Sequence, residues 1–389
     1  MIAFTRLTLA VVFFAASLLA VFPAPAYKLW MLAIGVTEWG HVLALGALIP
    51  LLPGWSRGVT GRIAAVLGVL AFILALSPLA RAVPVAGDLP ARLTAAFGAS
   101  TPRSLPNAPP RSSPLSAASL FVGVDSPPVV ASTHTYLVRD GTPLELDIYR
   151  SARATDASIA NAPVIVMIHG GSWRGGFRGD LAPLNRYLAA RGYLVAAVSY
   201  RFAPAHPYPA ASQDVNAAVA WLKTNASMFG GDPSRVAFIG RSAGGQLALL
   251  AAYTANDPAV RGTVGFYAST DQKYGYENPT NPRVLNSTEI LQNFLSGSPA
   301  TAAAAYRSSS PINHVDSNTV PTLLIHGTRD ELVFVTQSER LEARLSAARR
   351  PHLFLELPWA THGCDFNFSG PCGQLSTYAI ERFLASVMK

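Results

Sequence analysis

Charge is scarce in this chain, and scarcest at its start. Only 13% of the 389 residues are Asp, Glu, Lys or Arg. Before Asp125 just two acids occur, Glu38 and Asp88, against eight lysines and arginines, a net of +6. The remainder carries 22 basic and 20 acidic residues, a net of +2. The basic excess therefore flanks apolar sequence, which marks membrane edges rather than a nucleic-acid surface. Cysteine is nearly absent, with only Cys364 and Cys372. That excludes a disulfide-stapled scaffold. No His, Cys and carboxylate cluster has metal-ligand spacing, so neither a metal nor another cofactor is expected. No Lys-Ser/Thr pair follows a Gly-rich loop, and no dinucleotide fingerprint opens a strand–helix unit. Internal repeats are missing too.

Long apolar runs fill the near-chargeless part, over 7–22, 29–52 and 59–79. The later two are long enough to span hydrocarbon, which takes about 20 residues. The first is shorter. It reads either as a span or as a signal peptide with Ala24-Pro25-Ala26 as its cleavage site; the spans that follow favour the former. The expected anchor is thus two or three transmembrane helices within 1–83. Arg57 and Arg62 flank the short loop between the later runs, and Arg6 lies at the start. Lys28 and Arg81 lie opposite. The positive-inside rule then puts the remaining domain on the extracytoplasmic side of a multi-pass membrane protein. Glu38 and His41 sit within the second run at i and i+3, on one face. They suggest a mutual hydrogen bond inside a three-helix bundle, or else a lipid-head or ion site. Residues 84–128 are rich in Pro, Ala and Ser, among them Pro102, Pro106, Pro109 and Pro110, and read as a linker.

The most informative stretch is Gly240-Arg241-Ser242-Ala243-Gly244. It follows an apolar strand-like run, 235–240, and opens an Ala- and Leu-rich helical run, 245–253. A G-x-S-x-G on a strand-to-helix turn is where a serine nucleophile is presented. Serine needs a base, an orienting acid and an oxyanion site. The acid candidate is Asp330, in the loop after the strand-like 321–325; Asp271 and Asp316 are rivals. The base candidate is His362, after the strand-like 353–358; His314, His326 and His352 compete. Gly170 and Gly171, after the strand-like 163–168, together with the N–H of Ala243, are the oxyanion candidates. Trp173, Arg241, Phe202 and Phe266 are candidates for shaping the pocket.

These pieces resemble the α/β-hydrolase family, within it the hormone-sensitive-lipase-like and feruloyl-esterase-like serine carboxylesterases. The resemblance covers roughly 133–389. It rests on His169-Gly-Gly-Ser-Trp173, Tyr200-Arg-Phe-Ala-Pro204, Tyr208-Pro209-Ala210 with Asp214, Gly240-Arg-Ser-Ala-Gly-Gly245, His326-Gly-Thr-Arg-Asp330 and Thr361-His-Gly363. Ser172-Trp173 replaces the further glycines usual in lipase-like members, and Arg241 stands where they often have Asp. Both features look closer to the feruloyl-esterase-like and formamidase-like branch. The resemblance implies a Ser242–His362–Asp330 triad, an acyl-enzyme and a small-molecule or lipid ester as substrate. An amidase or formamidase, a membrane lipase and a catalytically silent binding module are the alternatives.

A hairpin near 133–149 should lead into strands near 163–168, 193–199, 235–240, 262–267, 321–327 and 352–357, alternating with helices. That predicts a mostly parallel sheet of about eight strands, covered by helices, in a catalytic domain over 129–389. Residues 271–310 interrupt the alternation, as a cap over the site or as a surface excursion. Cys364 and Cys372 form either a small-loop disulfide or two free thiols.

Overall fold

Four helices open the chain: α1 (Ile2–Ser17), α2 (Tyr27–Glu38), α3 (Gly40–Ala47) and α4 (Val59–Phe97). The computed structural model describes residues 2–55, 58–105, 107–124, 126–152 and 161–389. Arg57 of the basic loop and Pro106 of the linker lie outside the described residues. Residues Ala3–Ala20 and Val59–Phe97 are long and apolar enough to cross a membrane. The run 29–52, expected as one span, is a pair of helices bent by 86°. Its first half, α2, turns Trp30, Ala33, Ile34 and Glu38 inward.

Small residues set how these helices meet. A Cβ on Gly40 would fall 2.2 Å from the carbonyl oxygen of Ala75, and one on Gly68 would fall 2.7 Å from that of Ala47. So α3 runs antiparallel to α4 at backbone contact, as small residues permit in apolar surroundings. Arg6 Nη2 reaches Pro53 O at 2.9 Å, while Ala20 O accepts from Arg81 Nη2 at 2.8 Å. α1 and α4 therefore run the same way, and α2 lies crosswise at their far end.

α4 does not stop where the proline-rich composition suggests a linker should start. It continues through Pro84 and Pro90 to Phe97. Prolines break isolated helices, yet Leu89 and Leu93, one turn apart, are buried in the cluster that holds Phe383 and Leu384. Packing there outweighs local preference. At 39 residues the helix is about 58 Å long. That is nearly twice a hydrocarbon core of about 30 Å, and its second half packs on the C-terminal residues Phe383 and Leu384. The following segment, with α5 (Ala117–Val122), is also fastened. Arg111 N donates to Glu381 Oε2 at 3.0 Å, and Arg111 Nη2 to Gln374 Oε1 at 2.6 Å. The tether expected from composition is thus a strap.

The sheet comprises β1 (Val129–Arg139), β2 (Thr142–Ser151), β3 (Ala162–Ile168), β4 (Leu194–Val198), β5 (Gly231–Arg241), β6 (Val260–Phe266), β7 (Thr322–Gly327) and β8 (His352–Leu357). Its order is β1-β2-β4-β3-β5-β6-β7-β8. β1, β2 and β4 pair antiparallel, and the others pair parallel. The central strands are buried along their whole length, as a sheet covered on both faces requires. α6 (Ala182–Ala190), α7 (Ala210–Asn225), α8 (Ala243–Thr254), α12 (Thr336–Ala347) and α13 (Pro371–Val387) provide the cover. The interruption over 271–310 folds as α9 (Gln272–Glu277), α10 (Ser287–Leu295) and α11 (Ala303–Ser308).

Glu381 on α13 ties the strap to α6. Its buried carboxylate accepts from Tyr187 Oη at 2.7 Å and pairs with Arg191 at 3.3 Å, beside Arg111. Removing one partner from such a buried set typically costs about 3–5 kcal/mol. Glu381→Ala should therefore lower the thermal unfolding midpoint by several degrees. A midpoint within one degree of wild type would show that the set contributes nothing.

Candidate active site

Ser242 stands between β5 and α8 with φ 54° and ψ −121°, outside the regions comfortable for a residue with a side chain. The turn is possible because its neighbours are glycines. A Cβ on Gly240 would lie 2.0 Å from Gly244 O, and one on Gly244 would lie 2.2 Å from His169 O. Ser242 N–H donates to Phe266 O at 2.9 Å, which ties the turn to β6. Among the described residues its Oγ has no hydrogen-bond partner, so the hydroxyl is free to engage a ligand or a base.

His362 lies in the loop after β8, and Asp330 in the loop after β7. His362 Nδ1 is 2.6 Å from Asp330 Oδ2. The carboxylate is buried. It also faces His326 Nε2 at 3.1 Å, and its Oδ1 accepts from Leu332 N at 2.9 Å and Val333 N at 2.8 Å. Burial alone would raise its pKa. The neighbouring His362 and the hydrogen bonds from both histidines outweigh burial and hold it well below the usual carboxylate range. A depressed carboxylate pKa contributes stability that is present above the unfolded value of about 4 and lost as pH falls further. At neutral pH the ionised Asp330 keeps the proton of His362 on Nδ1, leaving Nε2 to accept one. Ser242 and His362 line the same cleft.

Gly170 and Gly171 follow β3 and border this cleft, and Ala243 begins α8 beside it. Among the described residues, the N–H groups of Gly170, Gly171 and Ala243 have no acceptor in the fold. His169 is a brace. Its ring stacks on Tyr200 at 4.4 Å, and Nδ1 lies 2.7 Å from Gly170 O. Burial pushes its pKa down.

Trp173 stacks on Phe294 of α10 at 4.2 Å and donates to Gln246 Oε1 at 2.9 Å; its ring borders the cleft. Arg241 lies at the cleft floor, but its charge is committed to Asp365, under the ring of Phe266. It is a buried support rather than a free substrate-binding cation. Phe202 packs edge-on to His169, and Phe266 lies in the core; neither borders the cleft at Ser242. Of the rivals, Asp271 pairs with Arg340 and caps α9. Asp316 bonds within its own turn. Cys364 and Cys372 are joined by a disulfide directly after His362. Tyr274, Asn278, Leu285 and Leu291, from the interruption over 271–310, wall a recess beside Ser242.

The BD-FAE family profile matches residues 146–345, just over half of the chain. The chain belongs to the BD-FAE family. Esterase LipC of Mycobacterium tuberculosis is 35% identical over 258 residues, covering 62% of this chain and 62% of that protein. The probable carboxylic ester hydrolase LipM of the same organism is 34% identical over 256 residues, covering 62% and 58%. The chain thus spans about three-fifths of the length of these curated relatives. An esterase structure from Pyrobaculum calidifontis superposes with TM-score 0.56 at 24% identity, over 67% of this chain and 87% of that one. One of Rhizomucor miehei gives 0.57 at 22%, over 70% and 88%. The fold is that of the α/β-hydrolases.

At this BD-FAE site Tyr267 and Trp30 escape sequence reasoning, as do the partners that His326, Glu38 and His41 take. Tyr267 directly follows β6, with its ring 4.3 Å from that of His362 and its hydroxyl 2.5 Å from Asp365 Oδ1. His326 is a second imidazole on Asp330. Its Nδ1 lies 2.7 Å from Ser338 Oγ, so it is held rather than free. Its place at a strand end, four residues before the acid, was the available signal. Trp30 of α2 lies 6.4 Å from the His362 ring, and no local pattern could have announced it. Glu38 and His41 do not bond each other as the bundle reading expects. Glu38 Oε1 accepts from Trp359 Nε1 at 3.2 Å and Oε2 from Cys372 N at 3.0 Å, while His41 Nε2 lies 3.1 Å from Leu120 O. Glu38 thus reaches from α2 to residues on either side of His362, and His41 from α3 to α5.

Proposed function

We propose that this chain is a membrane-anchored serine hydrolase of carboxylic esters. The supporting observation is the pairing of an unengaged, strained Ser242 with a His362–Asp330 couple bordering one cleft. Ser242 Oγ attacks the acyl carbonyl carbon, and its proton passes to His362 Nε2. The oxyanion is met by the N–H groups of Gly170, Gly171 and Ala243. The tetrahedral adduct collapses with loss of the alcohol, which takes that proton. Water, deprotonated by the same imidazole, then releases the acid and restores the serine. Asp330 orients the imidazole and stabilises its charged form. LipC and LipM, named as an esterase and a carboxylic ester hydrolase, support the ester reading.

For the anchor, α1 and the first half of α4 cross the bilayer and α2 lies at its surface beneath the hydrolase. Arg6 and Arg62 mark the cytoplasmic end, and the catalytic domain faces the opposite side. The disulfide after His362 accords with an oxidising compartment.

Purified full-length chain should hydrolyse p-nitrophenyl butyrate and leave p-nitroacetanilide essentially untouched. Comparable turnover of the anilide would move the assignment to an amidase; turnover of neither would remove it. Asp330→Asn, which reverses the favoured tautomer, should lower kcat by about 10⁴. A loss below tenfold would assign the orienting role elsewhere.

A further inference from the structure

The cleft at Ser242 has an unusual wall. Tyr27, Trp30, Met31, Ile34 and Trp39 of the α2 segment border it, opposite the Gly170–Gly171 loop. Its volume is about 770 Å³, within the range of small-molecule sites. A second groove of about 420 Å³ lies on the other side of α2, between α1, α2 and α3. Phe13, Ala16, Leu32, Val42 and Leu43 line it with Trp39, and among the described residues no charged side chain does. The two spaces share Gly35 and Trp39. At Gly35 the helix leaves a gap, because a Cβ there would meet nothing within 4 Å. Around the groove Val12, Leu32, Val42 and Leu45 are about half exposed, on helices that include the candidate spans. The opposite recess, walled by the 271–310 segment, is far smaller, about 60 Å³.

From these two shared residues and the gap at Gly35 we infer that the substrate is an ester with one long hydrocarbon chain, drawn from the bilayer, and that the chain passes over α2 at Gly35 into the groove between α1, α2 and α3. The inference rests on the hydrolase reading above and deepens it. The reacting carbonyl sits at Ser242, the small substituent enters the recess, and the long chain returns towards lipid. An apolar chain stays out of water along this path, with about 0.8 kcal/mol favouring each buried methylene. A purely aqueous, polar ester would leave the groove unused.

Two substrate series separate the arms: p-nitrophenyl butyrate against laurate for an acyl chain, and methyl against dodecyl acetate for an alkoxy chain. The full-length protein is assayed in mixed micelles of one fixed composition, and variants are compared with wild type so that partitioning cancels. Gly35→Leu places a side chain in the gap. Leu32→Trp, at a half-exposed position that lines the groove and not the cleft, narrows the groove alone. Each should lower the long-to-short ratio of kcat/KM about tenfold in one of the two series. That series identifies which end of the ester the groove holds. An unchanged ratio in both series overturns the inference while leaving the hydrolase reading intact. Labelling by a small fluorophosphonate reports an intact site in each variant; if Gly35→Leu fails to label, Leu32→Trp decides. Absence of labelling and of turnover in wild type would instead remove the hydrolase reading itself.

Discussion

Ser242→Ala lowers kcat for ester hydrolysis by roughly 10⁶-fold, the loss expected when a triad nucleophile is removed, and leaves the fold unchanged. The two halves of that expectation have separate causes. The hydroxyl makes no hydrogen bond among the described residues, so its removal strands no buried donor or acceptor. The strain at φ 54° is a backbone property that alanine shares with serine. The thermal midpoint should therefore move little while turnover disappears. Retention of more than about one-thousandth of wild-type kcat would mean that another group attacks the ester.

A fragment beginning at Val124 fails to give a soluble, active enzyme. Composition alone would place a removable anchor and linker before it. The structure places Leu89 and Leu93 in the core against α13, with Arg111 on the Glu381 set. Each buried leucine lost costs about 2–5 kcal/mol, against a total stability of about 5–15 kcal/mol for a typical domain. Truncation also removes Glu38, leaving Trp359 Nε1 and the N–H of Cys372 without partners on either side of His362. Expression of this fragment should yield aggregate, or a protein whose unfolding midpoint falls by ten degrees or more, with little fluorophosphonate labelling. A monodisperse fragment with wild-type kcat/KM on p-nitrophenyl butyrate would show that the anchor only tethers.

The sheet was legible because it is built from short-range signals. Apolar runs of strand length alternate with helical ones from residue 162 onwards, and each observed strand lies within a few residues of its expected place. Ser242 was legible for the same reason: glycines at 240 and 244 mark a turn that other residues would obstruct. Asp330 and His362 were legible as post-strand residues in the right chain order, although only the folded chain brings them within 2.6 Å. What sequence concealed lies in long-range packing. α2 reads as membrane because its residues are apolar, but apolarity serves a domain interface equally well. Nothing near Trp30 or Glu38 points to partners more than 300 positions away. The prolines at 84 and 90 argued locally for a linker, and the leucines between and after them won through contacts with α13. The 271–310 segment gave no strong period because its helices are short.

Mass-spectrometric mapping of a fluorophosphonate adduct on the full-length protein tests the account most directly. The peptide carrying Ser242 should gain the phosphonyl group at that serine alone, at a rate that His362→Ala reduces by at least about a thousandfold. No adduct, or an adduct on another serine with Ser242 unmodified, would contradict it.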